Sequence, residues 1–169
     1  MKVIVPLAHQ PAADELLGRS PLAALIGVLL DEHVPTESAF TAPLKLARRL
    51  GRGDLDAGEI AAYDPYQFTA LFKAQPALHR SPAWMARRVQ LLCTALVARH
   101  DGDATKLWEG ARTGAQLLRR LATLPGFGEQ KSQLYVALLG MHYGVRPEGW
   151  REAAGIYGEG WLARSDHGS

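Results

Sequence analysis

The chain has 169 residues, of which 47% are hydrophobic and 21% charged, with a formal net charge of +2 at pH 7. This length and hydrophobic content suit a single domain that buries its own core. The sequence has no uninterrupted apolar run of about 18 residues, as a membrane-spanning helix requires. Its start, "MKVIVPLAHQ", lacks the features of a signal peptide. We therefore expect a cytoplasmic protein that does not bind membranes.

Cysteine is scarce, since Cys93 is the only one in the sequence. One cysteine excludes an internal disulfide, a four-cysteine zinc site and a four-cysteine iron–sulfur cluster. The histidines show no metal-ligand spacing either, so we expect neither zinc nor an iron–sulfur cluster. Cys93 lies in the apolar stretch "VQLLCTALV", which predicts a buried core thiol in a protein of a reducing compartment.

Basic residues cluster although the net charge is small. Taken singly, each cluster is typical of a solvated helix face. Three clusters in one small domain favour a surface that faces phosphate. The clusters are Lys45, Arg48, Arg49 and Arg52; Arg80, Arg87 and Arg88; and Arg112, Arg119, Arg120 and Lys131.

Helix-start signals recur along the chain. Ser20, Asp64 and Ser81 each precede a proline, the order expected of an N-cap followed by the first helical residue. Asp56 with Glu59 forms a capping-box pattern. Only "VIVPLA" is strand-like, it has no partner strand, and "RSDHGS" is expected to fray. These patterns predict a single all-α domain with helices over 21–32, 36–50, 57–63, 65–74, 82–100, 104–109, 114–123, 129–143 and 148–155.

The stretch "LPGFGEQKS" carries the clearest chemical signal. Gly126 and Gly128 allow another backbone to approach closely, and Pro125 fixes the start of the turn. A helix is predicted to begin after Gly128, so its first amides and its positive dipole end form an anion site. Lys131 adds a positive charge there. An ordinary interhelical turn needs one glycine only, so the pattern favours phosphate binding.

The same segment resembles the helix-hairpin-helix of the HhH-GPD superfamily of base-excision DNA glycosylases, relatives of endonuclease III and of 8-oxoguanine and alkyladenine glycosylases. Longer stretches, "LIGVLLDEHVPTESAF", "ALHRSPAWMARRVQLLC" and "LPGFGEQKSQLYVALLGMHYGVRPEGWREAAGIYG", resemble a family of small bacterial HhH-GPD proteins. The resemblance covers residues 20–155, with the helix-hairpin-helix at 114–143. It implies an HhH-GPD fold in two helical lobes, and damaged double-stranded DNA as the partner.

In the superfamily the hairpin binds a backbone phosphate beside the lesion, and its carbonyls often hold a monovalent cation. The resemblance assigns DNA binding to Leu124, Gly126, Phe127, Gly128, Gln130 and Lys131, and the cation to the carbonyls of Ala122, Leu124 and Phe127. The Schiff-base lysine of the bifunctional enzymes corresponds to Gln130 here. Because Lys131 lies about 100° further around the helix, we expect no β-lyase activity.

The superfamily also places an aspartate after a loop rich in glycine and proline. A carboxylate there stabilises the positive charge that develops on the sugar, or activates water. This sequence has "YGVRPEGWREAAG", in which Glu148 and Glu152 are the available carboxylates. Glu148 corresponds to the aspartate if the loop is aligned without gaps. Glu152 corresponds to it if the loop is longer. Both are equally well explained as acids in the first turn of a helix.

A polar wedge is the third feature that the resemblance implies. His33 occupies its place, where a flat ring could fill the gap left by a flipped nucleotide. An ordinary histidine at a helix end is the alternative. Trp84, Tyr135 and Trp150 are candidates for a base pocket, with Trp150 favoured and core packing favoured for Tyr135. Arg87, Arg88 and Arg120 are expected to supply supporting positive charge.

These features predict a monofunctional DNA glycosylase, associated with the nucleoid, that flips a damaged base and hydrolyses the N-glycosidic bond. A non-catalytic DNA-binding module with the same hairpin is the alternative, and exposure of both glutamates to solvent would favour it. A helical protein-interaction domain is a third hypothesis, and it predicts no salt-dependent affinity for DNA.

Overall fold

The computed structural model describes residues 7–158, and this part of the chain is helical. Its nine α-helices are α1 Pro11–Arg19, α2 Pro21–Leu30, α3 Thr36–Arg49, α4 Ala57–Ala62, α5 Pro65–Lys73, α6 Pro82–His100, α7 Gly114–Ala122, α8 Glu129–His142 and α9 Trp150–Ala153. Two short 3-10 helices are Ala104–Leu107, in place of the predicted helix 104–109, and Gly155–Tyr157. The all-α class is confirmed for these residues, and none of their helices is long and apolar enough to cross a membrane. The stretch "VIVPLA" lies mainly, and "RSDHGS" entirely, outside the described residues.

Helix starts follow the sequence signals at three of the four predicted caps. The side chains of Ser20, Asp56 and Asp64 each accept a hydrogen bond from the amide three residues further on, at 2.8–3.1 Å. Each bond satisfies one of the amides that a helix start leaves without a partner. Ser81 differs, because its side chain caps nothing and its amide donates to Nδ1 of His79 at 2.9 Å.

Apart from Ala104–Leu107, three elements differ from the prediction by more than one residue. Helix α1 has no counterpart among the predicted helices, although it starts with proline, a helix-start signal. Helix α2 ends at Leu30, two residues early, because Asp31 leaves the helical conformation. The predicted helix over 148–155 is interrupted, since Gly149 before α9 and Gly155 after it have left-handed backbones with φ of +76° and +60°.

Helices α2 and α8 form the centre of the core, because both are buried on nearly every side over most of their length. Helix α2 packs on α1, α3, α6 and α8, and α8 packs in addition on α7 and α9. Glycines let aromatic rings approach these helices. A Cβ at Gly27 would lie 2.5 Å from the ring of Phe40, and one at Gly140 would lie 2.3 Å from the ring of Trp150.

Cys93 lies in this core, as predicted, near the middle of α6. Burial, with a smaller contribution from the nearby Asp56 carboxylate, raises the pKa of its thiol to about 12. The thiolate is therefore scarce at neutral pH, so Cys93 is a packing residue rather than a nucleophile.

Gly140→Ala tests the contact between α8 and the ring of Trp150. Alanine favours a helix over glycine by about 1 kcal/mol, but its Cβ would lie 2.3 Å from the ring. We expect the free energy of unfolding, measured by urea denaturation, to fall by about 1–3 kcal/mol. Gly53→Ala is the control, because a Cβ there meets no atom within 4 Å. Equal stability of the two variants would contradict this contact.

Candidate nucleic-acid interface

The turn between α7 and α8, residues 123–128, is called the hairpin turn below. Leu124 and Phe127 anchor it, because both side chains are nearly completely buried in the core. The Phe127 amide also donates to the Leu124 carbonyl at 3.1 Å. Since the apolar side chains of the turn point inward, its outer surface is formed largely by the backbone around Gly126 and Gly128.

The two glycines of the hairpin turn have different structural roles. Gly126 has a φ of +83°, and a Cβ there would lie 2.6 Å from Leu29 and 2.9 Å from Nη2 of Arg88. The fold therefore requires a glycine at this position. Gly128 has a φ of −81°, which any residue adopts, and a Cβ there would meet no atom within 4 Å. Folding therefore does not explain the second glycine, whereas close approach of another molecule would.

The amides at the start of α8 are available to an anion. The first hydrogen bond of the helical ladder joins the Ser132 amide to the Gly128 carbonyl at 3.0 Å, so the amides of residues 129–131 precede the ladder. Gly128 is the N-cap and offers no side chain to accept from them. Glu129 is an acid in this first turn, and its carboxylate accepts from Nε2 of Gln133, one turn along the helix, at 3.3 Å.

Arg88 adds a cation beside the hairpin turn, and its charge also acts on the carboxyl of Glu32. Its Nη2 lies against Gly126, and its Cζ lies 5.2 Å from the ring centroid of Trp84. No carboxylate or carbonyl of the described residues accepts a hydrogen bond from this guanidinium, and its buried Nε is unsatisfied. Because Nε is buried, the donors of Arg88 that a ligand can reach are those of Nη1 and Nη2.

Lys131, in contrast, is not free to bind phosphate in this structure. Its ammonium donates to the Leu29 carbonyl at 2.7 Å and to the carboxylate of Glu32, and its side chain is 14% exposed. Lys131 therefore links the first turn of α8 to the end of α2. The sequence gives no local sign of this pair, because the two residues are 99 positions apart.

Glu32 is the functional candidate that the sequence does not reveal. The hydrogen bond from Lys131 lowers the pKa of its carboxyl against the opposing effect of burial, and the charges of Lys131, Arg88 and His33 lower it further. One carboxylate thus lies in the field of three basic side chains. The Glu32 carboxylate would therefore compete with an external anion for these basic side chains.

His33 lies on the turn between α2 and α3, exposed, with a left-handed φ of +59°. His79 holds this turn in place. Nδ1 of His79 accepts from the Ser81 amide, so Nε2 carries the proton and donates to the carbonyls of Leu30 and Glu32 at 3.0 and 3.1 Å. His33 is therefore displayed on a fixed turn beside Glu32, and its role as a wedge stays a prediction.

The other two predicted arginines have different surroundings. Arg120 is half-buried and donates to the carbonyls of Leu107 and Glu109 at 3.2 and 2.8 Å. It therefore fastens α7 to the preceding loop, and its role as supporting charge for DNA stays a prediction. Arg87 is exposed on α6, next to Arg88 in the sequence.

Tyr135 and Trp150, two of the candidates for a base pocket, are both buried in the core. Tyr135 is completely buried, and its hydroxyl donates to the Pro21 carbonyl at 2.8 Å. Trp150 is 8% exposed and packs on Gly140. Both rings belong to the core because α8 is central and its close neighbours must be apolar. A cleft of about 500 Å³ lies elsewhere, in the loop between α3 and α4, lined by Arg52, Gly53, Asp54, Leu55, Asp56 and Glu59.

Gln130 and Glu148 lie toward opposite ends of α7. Nε2 of Gln130 donates to Oη of Tyr157 at 2.9 Å, at the hairpin end. Glu148 is held at the other end, where its carbonyl accepts from the Gly114 amide at 2.7 Å. The nine residues of α7 separate these ends by about 12 Å. Glu148 and Glu152 are both exposed, and no described residue forms a hydrogen bond or ion pair with either carboxylate.

The carbonyls predicted to hold a cation are in a stretch that already has a cationic partner. Nη1 of Arg99 donates to the Thr123 carbonyl at 3.1 Å, between Ala122 and Leu124 in the sequence. The Leu124 carbonyl accepts from the Phe127 amide. These contacts do not favour a monovalent cation there. Among residues 7–158, no cluster of three or more His, Cys, Asp or Glu residues could hold a metal ion.

Comparison with known proteins assigns no family. No family model matches the chain, and no curated protein matches it either. The functional proposal below therefore rests on the geometry of the hairpin turn, α6 and the turn between α2 and α3.

Glu32→Gln tests the pair between α2 and α8. Because the pKa of Glu32 is lower in the folded than in the unfolded chain, the pair stabilises the fold fully above about pH 4.5. That stabilisation decreases as the pH falls through the folded-state pKa. We expect a loss of about 1 kcal/mol in the free energy of unfolding at pH 7, since partial exposure screens the pair, and a smaller loss near pH 3.

The control for this experiment is Glu15→Gln, which changes an exposed carboxylate on α1. Urea denaturation of both variants and the wild type at the two pH values gives the comparison. If Glu32→Gln lowers the free energy of unfolding by the same amount at both pH values, the pairing of Glu32 with Lys131 is contradicted.

Proposed function

We propose that this protein binds DNA by holding one backbone phosphate at the hairpin turn. The observation that carries the proposal is the presence of two sets of donors at the hairpin turn, one on α8 and one on α6. The amides at the start of α8 have no cap, and the guanidinium of Arg88 beside Gly126 has no acceptor among the described residues. Helix N-termini and arginine are both common phosphate ligands in proteins.

The absence of a side chain at Gly128 supports a large, rigid ligand rather than a small free anion. A Cβ would be accommodated here by the protein itself. The open position lets a bulky group such as the sugar–phosphate chain of DNA approach the backbone. Contacts of this type position a protein on DNA without reading its sequence.

The fold that we propose for this activity is the HhH-GPD fold, on the resemblance given above. Two features of the structure support a site for distorted DNA. The exposed His33 lies on the same turn as Glu32, which is close to Lys131 of the hairpin helix. Helix α6, which carries Arg88, contains no acidic residue over its 19 residues. A wedge and a basic surface would therefore flank the phosphate site.

Monofunctional N-glycosidic hydrolysis is the second candidate function. It is favoured by the fixed backbone of Glu148, whose amide and carbonyl bond to Arg112 and Gly114. A carboxylate held there would stabilise positive charge on the sugar or activate water. Because both glutamates are exposed, DNA binding without catalysis ranks first. The amide of Gln130 cannot form a Schiff base, so neither candidate includes lyase chemistry.

Gly128→Asp and Arg88→Met test the two halves of the phosphate site. Aspartate is a good N-cap, so Gly128→Asp should leave the melting temperature unchanged or raise it. Its carboxylate would compete for the α8 amides and repel phosphate, so we expect affinity for duplex DNA to fall by about 10- to 100-fold. Arg88→Met should weaken binding and reduce the slope of log K against log salt by about 1.

Ala115→Asp is the matched control for added charge. It places the same carboxylate in the exposed first turn of α7, at the end of that helix away from the hairpin turn. Fluorescence anisotropy at several salt concentrations measures all variants. If Gly128→Asp and Ala115→Asp weaken binding equally, phosphate does not bind at the hairpin turn.

Glu148→Gln and Glu152→Gln separate the catalytic candidate from simple binding. Oligonucleotides carrying alkylated, deaminated or oxidised bases are incubated with each variant and with the double variant. If a carboxylate participates, its replacement should lower the excision rate by about 100-fold or more without reducing affinity. Binding by the wild type with no excision above the double variant would leave the DNA-binding function alone. Borohydride should trap no covalent adduct in either case.

A further inference from the structure

Glu32 is an anion of the protein itself that lies among the cations near the hairpin turn. Its carboxylate accepts a hydrogen bond from the ammonium of Lys131, and this bond is the largest cause of the lowered pKa of the carboxyl. The charges of Arg88 and His33 lower that pKa further, so both side chains act on the same carboxylate. A carboxylate and a DNA phosphate both offer anionic oxygens to such groups. Glu32 and a bound phosphate would therefore compete for these partners.

The ion pair between Lys131 and Glu32 is more shielded from solvent than the other ion pairs of the described residues. The side chain of Lys131 is 14% exposed, whereas the cation of each other pair is at least 42% exposed. Water and salt screen an exposed pair strongly and a partly buried pair much less. Glu32 therefore holds Lys131 more firmly than a surface carboxylate would.

The two members of this pair are not held equally. The Lys131 ammonium also donates to the Leu29 carbonyl at 2.7 Å, whereas the Glu32 carboxylate accepts from no other donor among the described residues. The Glu32 side chain is the more exposed of the two, at 32%. Its backbone is fixed, because Nε2 of His79 donates to the Glu32 carbonyl at 3.1 Å. The carboxylate can therefore turn into solvent while the ammonium stays anchored at the end of α2.

We propose that Glu32 regulates the phosphate site as an internal competitor, and that a phosphate of bound DNA replaces the Glu32 carboxylate as the partner of Lys131. This inference rests on the proposed DNA-binding function and adds regulation to it. In the free protein Lys131 is held by Glu32, and in the complex it joins Arg88 as a ligand of the DNA backbone. Because DNA binding breaks the ion pair, Glu32 keeps the affinity below the value that the same cations would give without it.

The test is a double-mutant cycle with Glu32→Gln, Lys131→Met and the double variant. Fluorescence anisotropy with a labelled DNA duplex gives the affinity of each protein at several salt concentrations, and thermal melting confirms that each is folded. The fold should survive Glu32→Gln, because glutamine keeps an oxygen that can accept from Lys131.

Glu129→Gln is the matched control for the loss of one negative charge near the hairpin turn. Glu129 lies in the first turn of α8, and its carboxylate accepts from Nε2 of Gln133 rather than from a cation. It is measured with and without Lys131→Met.

Glu32→Gln should raise the affinity for duplex DNA by about fivefold, because the ion pair no longer has to be broken. Most of this gain should disappear when Lys131→Met is also present. Glu129→Gln should give a smaller gain that is the same with and without Lys131→Met. Lys131→Met should reduce the slope of log K against log salt by about 1, since one phosphate contact is lost. The variant that binds DNA more tightly is thus expected to be the less stable one.

Three results would overturn the inference while the proposed DNA-binding function remained. The first is a gain from Glu32→Gln no larger than that from Glu129→Gln. The second is an equal gain from Glu32→Gln with and without Lys131→Met, which would indicate general repulsion of DNA instead of competition for Lys131. The third is a salt dependence that Lys131→Met leaves unchanged. If neither the wild type nor Glu32→Gln binds the duplex, the proposed function itself fails, and this inference fails with it.

Discussion

The contact between the hairpin turn and the end of α2 is the constraint on which the candidate site depends. Gly126 packs on Leu29, and Lys131 bonds to the carbonyl of the same leucine. The last carbonyls of a helix have no hydrogen-bond partner within the helix, so donors from elsewhere in the chain are needed to satisfy them. Lys131 and His79 supply them here, which brings α8 and the start of α6 to one end of a central helix.

This arrangement also determines the electrostatics of the site. Lys131 is neutralised by Glu32, while Arg88 at the same turn has no hydrogen-bonding acceptor among the described residues. The two cations therefore differ in function although they are neighbours. Lys131 contributes to stability, since its ammonium is held by two oxygens. Arg88 contributes little to the hydrogen bonding of the fold, and its donors are most useful to a ligand. Lys131 and Arg88 therefore differ because of the groups that surround them in the fold, and not because one is a lysine and the other an arginine.

The sequence predicts most of the helices and the hairpin turn, because caps, prolines and glycines act locally, but it misses α1 and the interruption of the helix over 148–155. Residues 114–123 and 129–143 were predicted as helices, and the structure has α7 and α8 there. The sequence does not predict the role of a side chain whose partner is distant along the chain. Lys131 was assigned to phosphate but binds Glu32, 99 positions away, and Tyr135 contacts Pro21 across 114 positions. Periodicity identifies the buried side of a helix but does not identify the partner of a charged group that is half-buried.

The two glycines of the hairpin turn show how stability and function can be separated at adjacent sites. Gly126 has a left-handed backbone and no room for a Cβ, so packing alone accounts for it. Gly128 has an ordinary backbone and open space, and an N-cap such as aspartate would satisfy the α8 amides better. Helices α1, α3, α6 and α9 also start without a side-chain cap, so the missing cap of α8 is not a sign of ligand binding by itself. The combination of uncapped amides with an arginine that has no hydrogen-bond acceptor among the described residues is what supports the phosphate site that we propose.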